Sequence, residues 1–207
     1  MTARSRFLYA ATMICTMVNS AWADRLIEVP IGRRLPLGEL RFEWTQERGA
    51  FRTRRFYLGT GLTKNIDLEL RSERIGATDF GTADISYNFQ PPIVDLGPGI
   101  SVGFLDVANR SALGRRAYLA LTFRNGLETE ALNTFADFTI GVSQGRDTLP
   151  FLAFRMPIIG EDFRVIGELD GKTLRAGLEF KQSRALTVRI VFEQNRVLLT
   201  GQTLFKF

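Results

Sequence analysis

Apolar and polar residues alternate strictly along several segments of this chain. In 174–181 (LRAGLEFK), apolar residues occupy one set of alternate positions, and Arg, Gly, Glu and Lys occupy the other. Segments 186–193 and 66–71 repeat the pattern. Side chains along a strand point to opposite faces in turn, so a period of two predicts strands. Because no helical stripe competes with this pattern, the chain is predicted to be all-β.

The alternating segments and the turn residues between them predict about twelve strands, with ten as the alternative. Residues 24–38, which contain Pro30 and Pro36, are predicted to be a lead-in or a poorly paired first segment. The predicted strands cover residues 39–46, 52–60, 64–75, 80–90, 99–107, 115–124, 134–144, 149–157, 162–170, 172–182, 185–194 and 196–207.

Tight turns between the last strands predict their register. Asp170-Gly171 is a two-residue hairpin signal, and a turn there makes Glu168 and Arg175 diagonal neighbours on one face. A second turn at 195–196 pairs Arg189 with Gln202. Polar positions meet polar positions across both hairpins, so alternation and turn length agree on which face is polar.

A membrane barrel is predicted over the rival interpretation, a soluble β-sandwich. About twelve strands in one closed sheet enclose a lumen too wide for an apolar core, which favours a polar lumen and an apolar exterior. The spacing of about 15 residues per strand and turn suits tilted membrane strands. The expected architecture is one antiparallel up-and-down transmembrane barrel over residues 24–207, with no sheet edge unpaired in lipid.

The chain ends on Phe205-Lys206-Phe207, an alternating strand with a terminal aromatic residue. This resembles the C-terminal assembly signal of bacterial outer-membrane proteins, which implies the barrel-assembly machinery as a partner. An even number of strands puts both ends of the barrel chain on the periplasmic side. The outward-facing turns are then all short, which disfavours a receptor or an adhesin.

The first 23 residues are predicted to be a cleaved secretory signal peptide. Arg4 and Arg6 precede the apolar run 7–18, and Ala21 and Ala23 frame a small-x-small cleavage site. The apolar run is short for a membrane anchor, which needs about 20 residues. The only cysteine, Cys15, lies in this segment, so no disulfide is expected in the exported chain.

The absence of histidine excludes more chemistry than any other compositional feature. With 0 His among 207 residues, the chain has no histidine base, catalytic triad or histidine metal site. The 27 Lys and Arg against 22 Asp and Glu give a formal net charge of +5, with no basic run that would indicate nucleic acid. No metal and no cofactor are predicted.

The polar faces of the predicted strands supply the candidate lumen residues. These residues carry charges of both signs, so they could line a polar pathway, bind sugars, or form a self-neutralising network that plugs the lumen. Acid–base catalysis by the carboxylates among them is disfavoured, and no enzyme activity is expected. The candidates are Arg41, Glu43, Asp67, Glu69, Arg71, Asp84, Arg164, Glu168, Arg175, Glu179, Arg189 and Glu193.

Two segments resemble the YjbH-like outer-membrane barrels associated with exopolysaccharide production. One is 99–106 (GISVGFLD) after a Pro-rich turn, and the other is 167–171 (GELDG) followed by the strand at 174–180. The resemblance covers about half of the chain beyond the leader. It implies a role in making or exporting an extracellular polysaccharide, and it transfers no catalytic residue.

The leading functional hypothesis is therefore a non-enzymatic outer-membrane barrel that assists exopolysaccharide production or export. The alternatives are a general small-solute channel and a structural barrel with a plugged lumen. The expected partners are outer-membrane lipid and, through the family resemblance, a polysaccharide or its export proteins.

Overall fold

The structure, a computed structural model, describes residues 25–32, 34–49, 53–129, 132–183 and 185–207. The predicted signal peptide, with its Ala21–Ala23 cleavage site and Cys15, lies outside the described residues. Among the described residues, no helix is long and apolar enough to cross a membrane.

Twelve strands form the fold, as the leading prediction stated, and the ten-strand alternative is wrong. Most observed strand ends lie within two residues of the predicted ones, although β6 continues five residues further. The strands are β1 Glu39–Glu47, β2 Thr53–Gly61, β3 Ile66–Ile75, β4 Thr78–Gln90, β5 Gly99–Leu105, β6 Arg116–Thr129, β7 Leu132–Gln144, β8 Thr148–Ile159, β9 Phe163–Leu169, β10 Leu174–Lys181, β11 Leu186–Glu193 and β12 Arg196–Lys206.

The sheet closes into a barrel through antiparallel pairing of β1 with β12. Each other strand pairs with its neighbours in sequence, so the predicted antiparallel up-and-down barrel is confirmed. We call the end where β1 begins and β12 ends the proximal end, and the opposite end the distal end. The sequence prediction places the proximal end in the periplasm.

The barrel is apolar outside and charged inside. On β10, Leu178 is 49% exposed on the outer face, whereas its neighbour Glu179 is 2% exposed on the inner face. Such a surface needs an apolar solvent, since monomeric soluble proteins rarely expose large continuous apolar areas. A closed barrel also leaves no backbone group unpaired at an edge. The fold is therefore that of an outer-membrane β-barrel.

Two predicted hairpin registers were each wrong by two residues. The turn between β9 and β10 covers 170–173, so Glu168 lies directly opposite Arg175 instead of diagonal to it. In the last hairpin, Arg189 lies opposite Thr200, because the turn occupies 194–195. A shift of two residues keeps every side chain on its face, so the predicted polar faces remain correct.

The sequence predicts a lead-in or a poorly paired first segment before β1, and residues 25–32 and 34–37, which we call the N-terminal segment, make only isolated β-bridges. Leu26 and Val29 are each 2% exposed, and they belong to one apolar cluster with strand residues of the barrel interior. The segment therefore lies inside the lumen. Its prolines lack the backbone N–H that pairing within a sheet requires, and the segment packs on the inner surface of the barrel instead.

Candidate functional site: the lumen and its N-terminal segment

All twelve predicted lumen residues face the interior of the barrel. Arg164 is half-buried, and the other members of the set are buried. Whether these residues bind or conduct anything stays a prediction. They take part in several groups of ion pairs and hydrogen bonds.

The N-terminal segment enters the lumen from the proximal end. Leu37 forms a parallel bridge with Gly61 at the end of β2, and the Leu35 backbone N–H donates to Asp67 at 3.0 Å. Deeper in the lumen, the Gly32 N–H donates to the Thr122 hydroxyl at 2.7 Å. The chain then reverses direction, with an antiparallel bridge between Arg25 and Pro30.

Glu168 holds the tip of this reversal. Its carboxylate accepts backbone N–H bonds from Ile27, Glu28 and Val29 at 3.1, 2.9 and 3.1 Å. Arg175, opposite on β10, donates to the same carboxylate at 2.9 Å. Charged acceptors make the stronger hydrogen bonds of proteins, so Glu168 is the main polar anchor of the tip.

Arg25 crosses the lumen to the carboxylates of β3 and β4. It donates to Asp84 at 2.5 Å and to Glu69 at shorter range, and its guanidinium lies 4.7 Å from the ring centre of Tyr57. Arg41 from β1 shares the Glu69 carboxylate. The predicted carboxylates Glu69 and Asp84 therefore serve as ion-pair partners of the N-terminal segment.

Glu28 makes the reciprocal contacts with basic residues of β2 and β3. Its carboxylate lies 2.8 Å from Arg55 and 3.9 Å from Arg71, and it accepts the Tyr57 hydroxyl at 3.0 Å. Glu28, Arg55 and Tyr57 were not among the predicted site residues. Arg55 and Tyr57 lie two residues apart on a predicted strand, which could have placed both on the polar face.

The segment also packs on an apolar part of the lumen wall. Val191 and Leu198, which are 0% and 1% exposed, face inward although their neighbours on that face are polar. These two apolar residues on the polar face were the sequence feature that could have predicted an apolar segment inside the lumen. The cluster contains Leu26, Ile27, Val29 and Ile31 of the segment with Leu105, Tyr118, Ala120, Phe151, Ala153, Ile166, Val191 and Leu198 of the wall.

A second ionic network braces the wall itself. Glu179 of β10 accepts from Arg155, Arg164 and Arg189 at 3.2, 3.3 and 2.8 Å. Arg189 continues to Glu43 on β1 at 3.2 Å, across the closing pair of strands. Charges of opposite sign are thus paired on this side of the lumen wall.

A cavity of about 460 Å³ lies at the distal end, above the tip of the segment, and we call it the distal vestibule. Glu28 and Val29 line it from the segment, and distal-turn residues such as Arg110 and Asp170 line it from the other side. Burial raises the pKa of Asp170, but contacts with Arg175 and backbone hydrogen bonds from Thr173 and Lys172 together lower that pKa. A smaller cavity of about 60 Å³ borders Arg25 and Leu35.

No protein-family model and no curated protein matches this sequence. Among solved structures, a KdgM porin is similar, with a TM-score of 0.54 and 12% identity over 82% of this chain and 99% of that one. A KdgM porin in complex with disordered oligogalacturonate gives the same values. At this identity, the comparison establishes a shared barrel fold.

Proposed function

We propose that this protein is an outer-membrane channel for small solutes, closed in this structure by its own N-terminal segment. The observation that carries the proposal is that the N-terminal segment, residues 25–32 and 34–37, occupies the lumen. A barrel of twelve strands is wider than its own side chains can fill. Because the N-terminal segment is not a strand of the barrel, it can leave the lumen while the hydrogen bonds between the strands stay intact.

The similar structures support solute passage as the function. Both are of a KdgM porin, and one of them is in complex with disordered oligogalacturonate. This supports a small-solute channel over the exopolysaccharide role. The exopolysaccharide role, the resemblance to YjbH-like barrels and the absence of enzyme activity remain predictions.

Glu168→Gln tests the channel in planar lipid bilayers. The change weakens three backbone hydrogen bonds to the segment tip and removes one ion pair, at a cost of about 2 kcal/mol. We expect the wild-type protein to show rare openings and the variant to open at least tenfold more often. Glu39→Gln is the matched control, because Glu39 pairs with Lys206 at the proximal rim.

Silence of both the wild type and Glu168→Gln would contradict the channel and favour a structural barrel with a plugged lumen. Equal gains in Glu168→Gln and Glu39→Gln would show that the segment is not the obstruction. Heat-modifiable migration on a gel verifies that each variant is a folded barrel before its conductance is measured.

A further inference from the structure

The distal vestibule has more basic than acidic side chains in its lining. Its acidic members are Glu28, Glu73 and Asp170. One of these, Glu28, belongs to the segment and not to the wall. The basic members, all of them on the strands and turns of the wall, are Arg55, Arg71, Arg110, Arg116 and Arg175.

Glu28 occupies the floor of the vestibule as a carboxylate ligand would. Two guanidinium groups, those of Arg55 at 2.8 Å and Arg71 at 3.9 Å, and the Tyr57 hydroxyl at 3.0 Å converge on it. Guanidinium groups match carboxylates in charge and in planar geometry. The wall would therefore present a complete carboxylate site if Glu28 moved away.

The vestibule wall also keeps hydrogen-bond donors without an acceptor. The Nε atoms of Arg55, Arg71 and Arg116 are buried and make no hydrogen bond, although those of Arg55 and Arg71 lie 3.9 and 3.5 Å from the Glu73 carboxylate. Arg116 also has no ion pair among the described residues. Buried donors are nearly always satisfied in native structures, so the unsatisfied Nε of Arg116 at this cavity indicates a missing acceptor.

We propose that the distal vestibule binds a carboxylate-bearing solute of sugar size, and that Glu28 fills its deepest subsite until that solute displaces it. The cavity of about 460 Å³ falls within the usual size of small-molecule sites, about 300–1,000 Å³. The proposal rests on the proposed function in one respect, because displacement of Glu28 would loosen the segment that closes the lumen. Binding itself requires no conduction.

The expected affinity follows from the covalent attachment of Glu28 to the barrel. A ligand on a short tether acts at an effective concentration in the millimolar range. A free carboxylate must compete with that concentration, so the wild-type protein binds the solute weakly. Removal of the tethered carboxylate removes the competitor and raises the apparent affinity.

The test is isothermal titration of the full chain, folded in detergent micelles, with glucuronate and with glucose as its neutral match. We expect Glu28→Gln to bind glucuronate at least tenfold more tightly than the wild type, and glucose to give no signal with either protein. Adding Arg116→Gln to Glu28→Gln should weaken glucuronate binding about tenfold, because Arg116 supplies an unpaired donor. Glu47→Gln is the control, since Glu47 accepts a hydrogen bond from the Thr53 hydroxyl and does not line the vestibule.

Three results would overturn the proposal. They are no preference of Glu28→Gln for glucuronate over glucose, equal gains in Glu28→Gln and Glu47→Gln, and no effect of Arg116→Gln. Glu28→Ala repeats the test without a side-chain amide that could itself contact the arginines. Selective binding by a protein that never conducts would leave this inference standing and overturn the channel, whereas conduction without selective binding would do the reverse.

Discussion

At the residue scale, glycines set how closely the segment approaches the wall. A Cβ on Gly32 would lie 2.7 Å from the Gly99 carbonyl oxygen, and a Cβ on Gly99 would lie 2.4 Å from that of Gly32. A Cβ on Gly61 would lie 2.4 Å from the Leu35 carbonyl oxygen. The backbones are therefore in direct contact both at the proximal end, at Gly61, and deeper in the lumen, at Gly32. This contact was not predictable, because a glycine in a sequence does not reveal which distant chain passes it.

We expect Gly32→Ala to displace the segment. The added methyl group would meet backbone on the facing strand, and overpacking of this kind costs about 1–3 kcal/mol. The measurement is opening frequency in planar bilayers, which should rise about tenfold. Gly97→Ala is the control, because a Cβ there has nothing within 4 Å. Unchanged opening in Gly32→Ala would contradict a tightly seated segment.

At the element scale, the Asp106 carboxylate makes three hydrogen bonds that fold the longest distal connection, 106–115, onto the barrel. Asp106 accepts from the Thr82 hydroxyl at 2.6 Å and from the N–H groups of Arg110 and Ser111 at 2.8 and 2.6 Å. Burial raises the pKa of Asp106, but these hydrogen bonds outweigh it and lower the pKa to about 2. This contribution to stability is complete above an unfolded pKa of about 3.9 and is lost as the pH falls through 2.

We expect Asp106→Ala to release this connection at neutral pH. Three hydrogen bonds to a charged group are lost, so trypsin should cut after Arg110 and Arg115 at least tenfold faster than in the wild type. Cleavage followed by mass spectrometry gives the rate. Asp147→Ala serves as the control, because Asp147 lies in another distal turn with a 68% exposed side chain. Equal cleavage rates in the two variants would show that Asp106 does not hold the connection.

At the scale of the whole molecule, the inverted distribution of polarity makes the barrel depend on lipid. Ile190 on β11 is 40% exposed on the outer face, while Arg189 beside it is 2% exposed in the lumen. In a soluble sheet, the exposed position would tolerate a charged side chain, and the buried arginine would be costly. In a membrane barrel, a charged side chain is costly at the exposed position, which faces lipid, and is tolerated in the polar lumen.

Ile190→Arg measures this dependence directly. An arginine on the lipid face near the bilayer midplane costs about 2–4 kcal/mol of unfolding free energy. Urea unfolding in lipid vesicles, with Asp147→Arg in a distal turn as control, gives the difference. A loss below about 0.5 kcal/mol, or a wild-type protein that stays soluble without detergent, would contradict a membrane barrel.

Alternation and turn residues alone determined the number of strands, their approximate ends and the inward position of the charged residues. These are local properties, because a strand presents every second residue to one face and a hairpin turn carries that parity to the next strand. The exact hairpin registers at 170–173 and 194–195 required the structure, because a shift of two residues preserves the parity.

What fills the lumen could not be predicted from the sequence. Residues 25–37 have no period that predicts their position, and their partners, such as Glu168 and Tyr57, are distant in sequence. The segment lies inside because the closed barrel leaves room there, an apolar patch accepts Leu26 and Val29, and buried charges need partners. The sequence thus determined a barrel with a charged interior, and tertiary packing turned that interior into a closed lumen with a vestibule above Glu28.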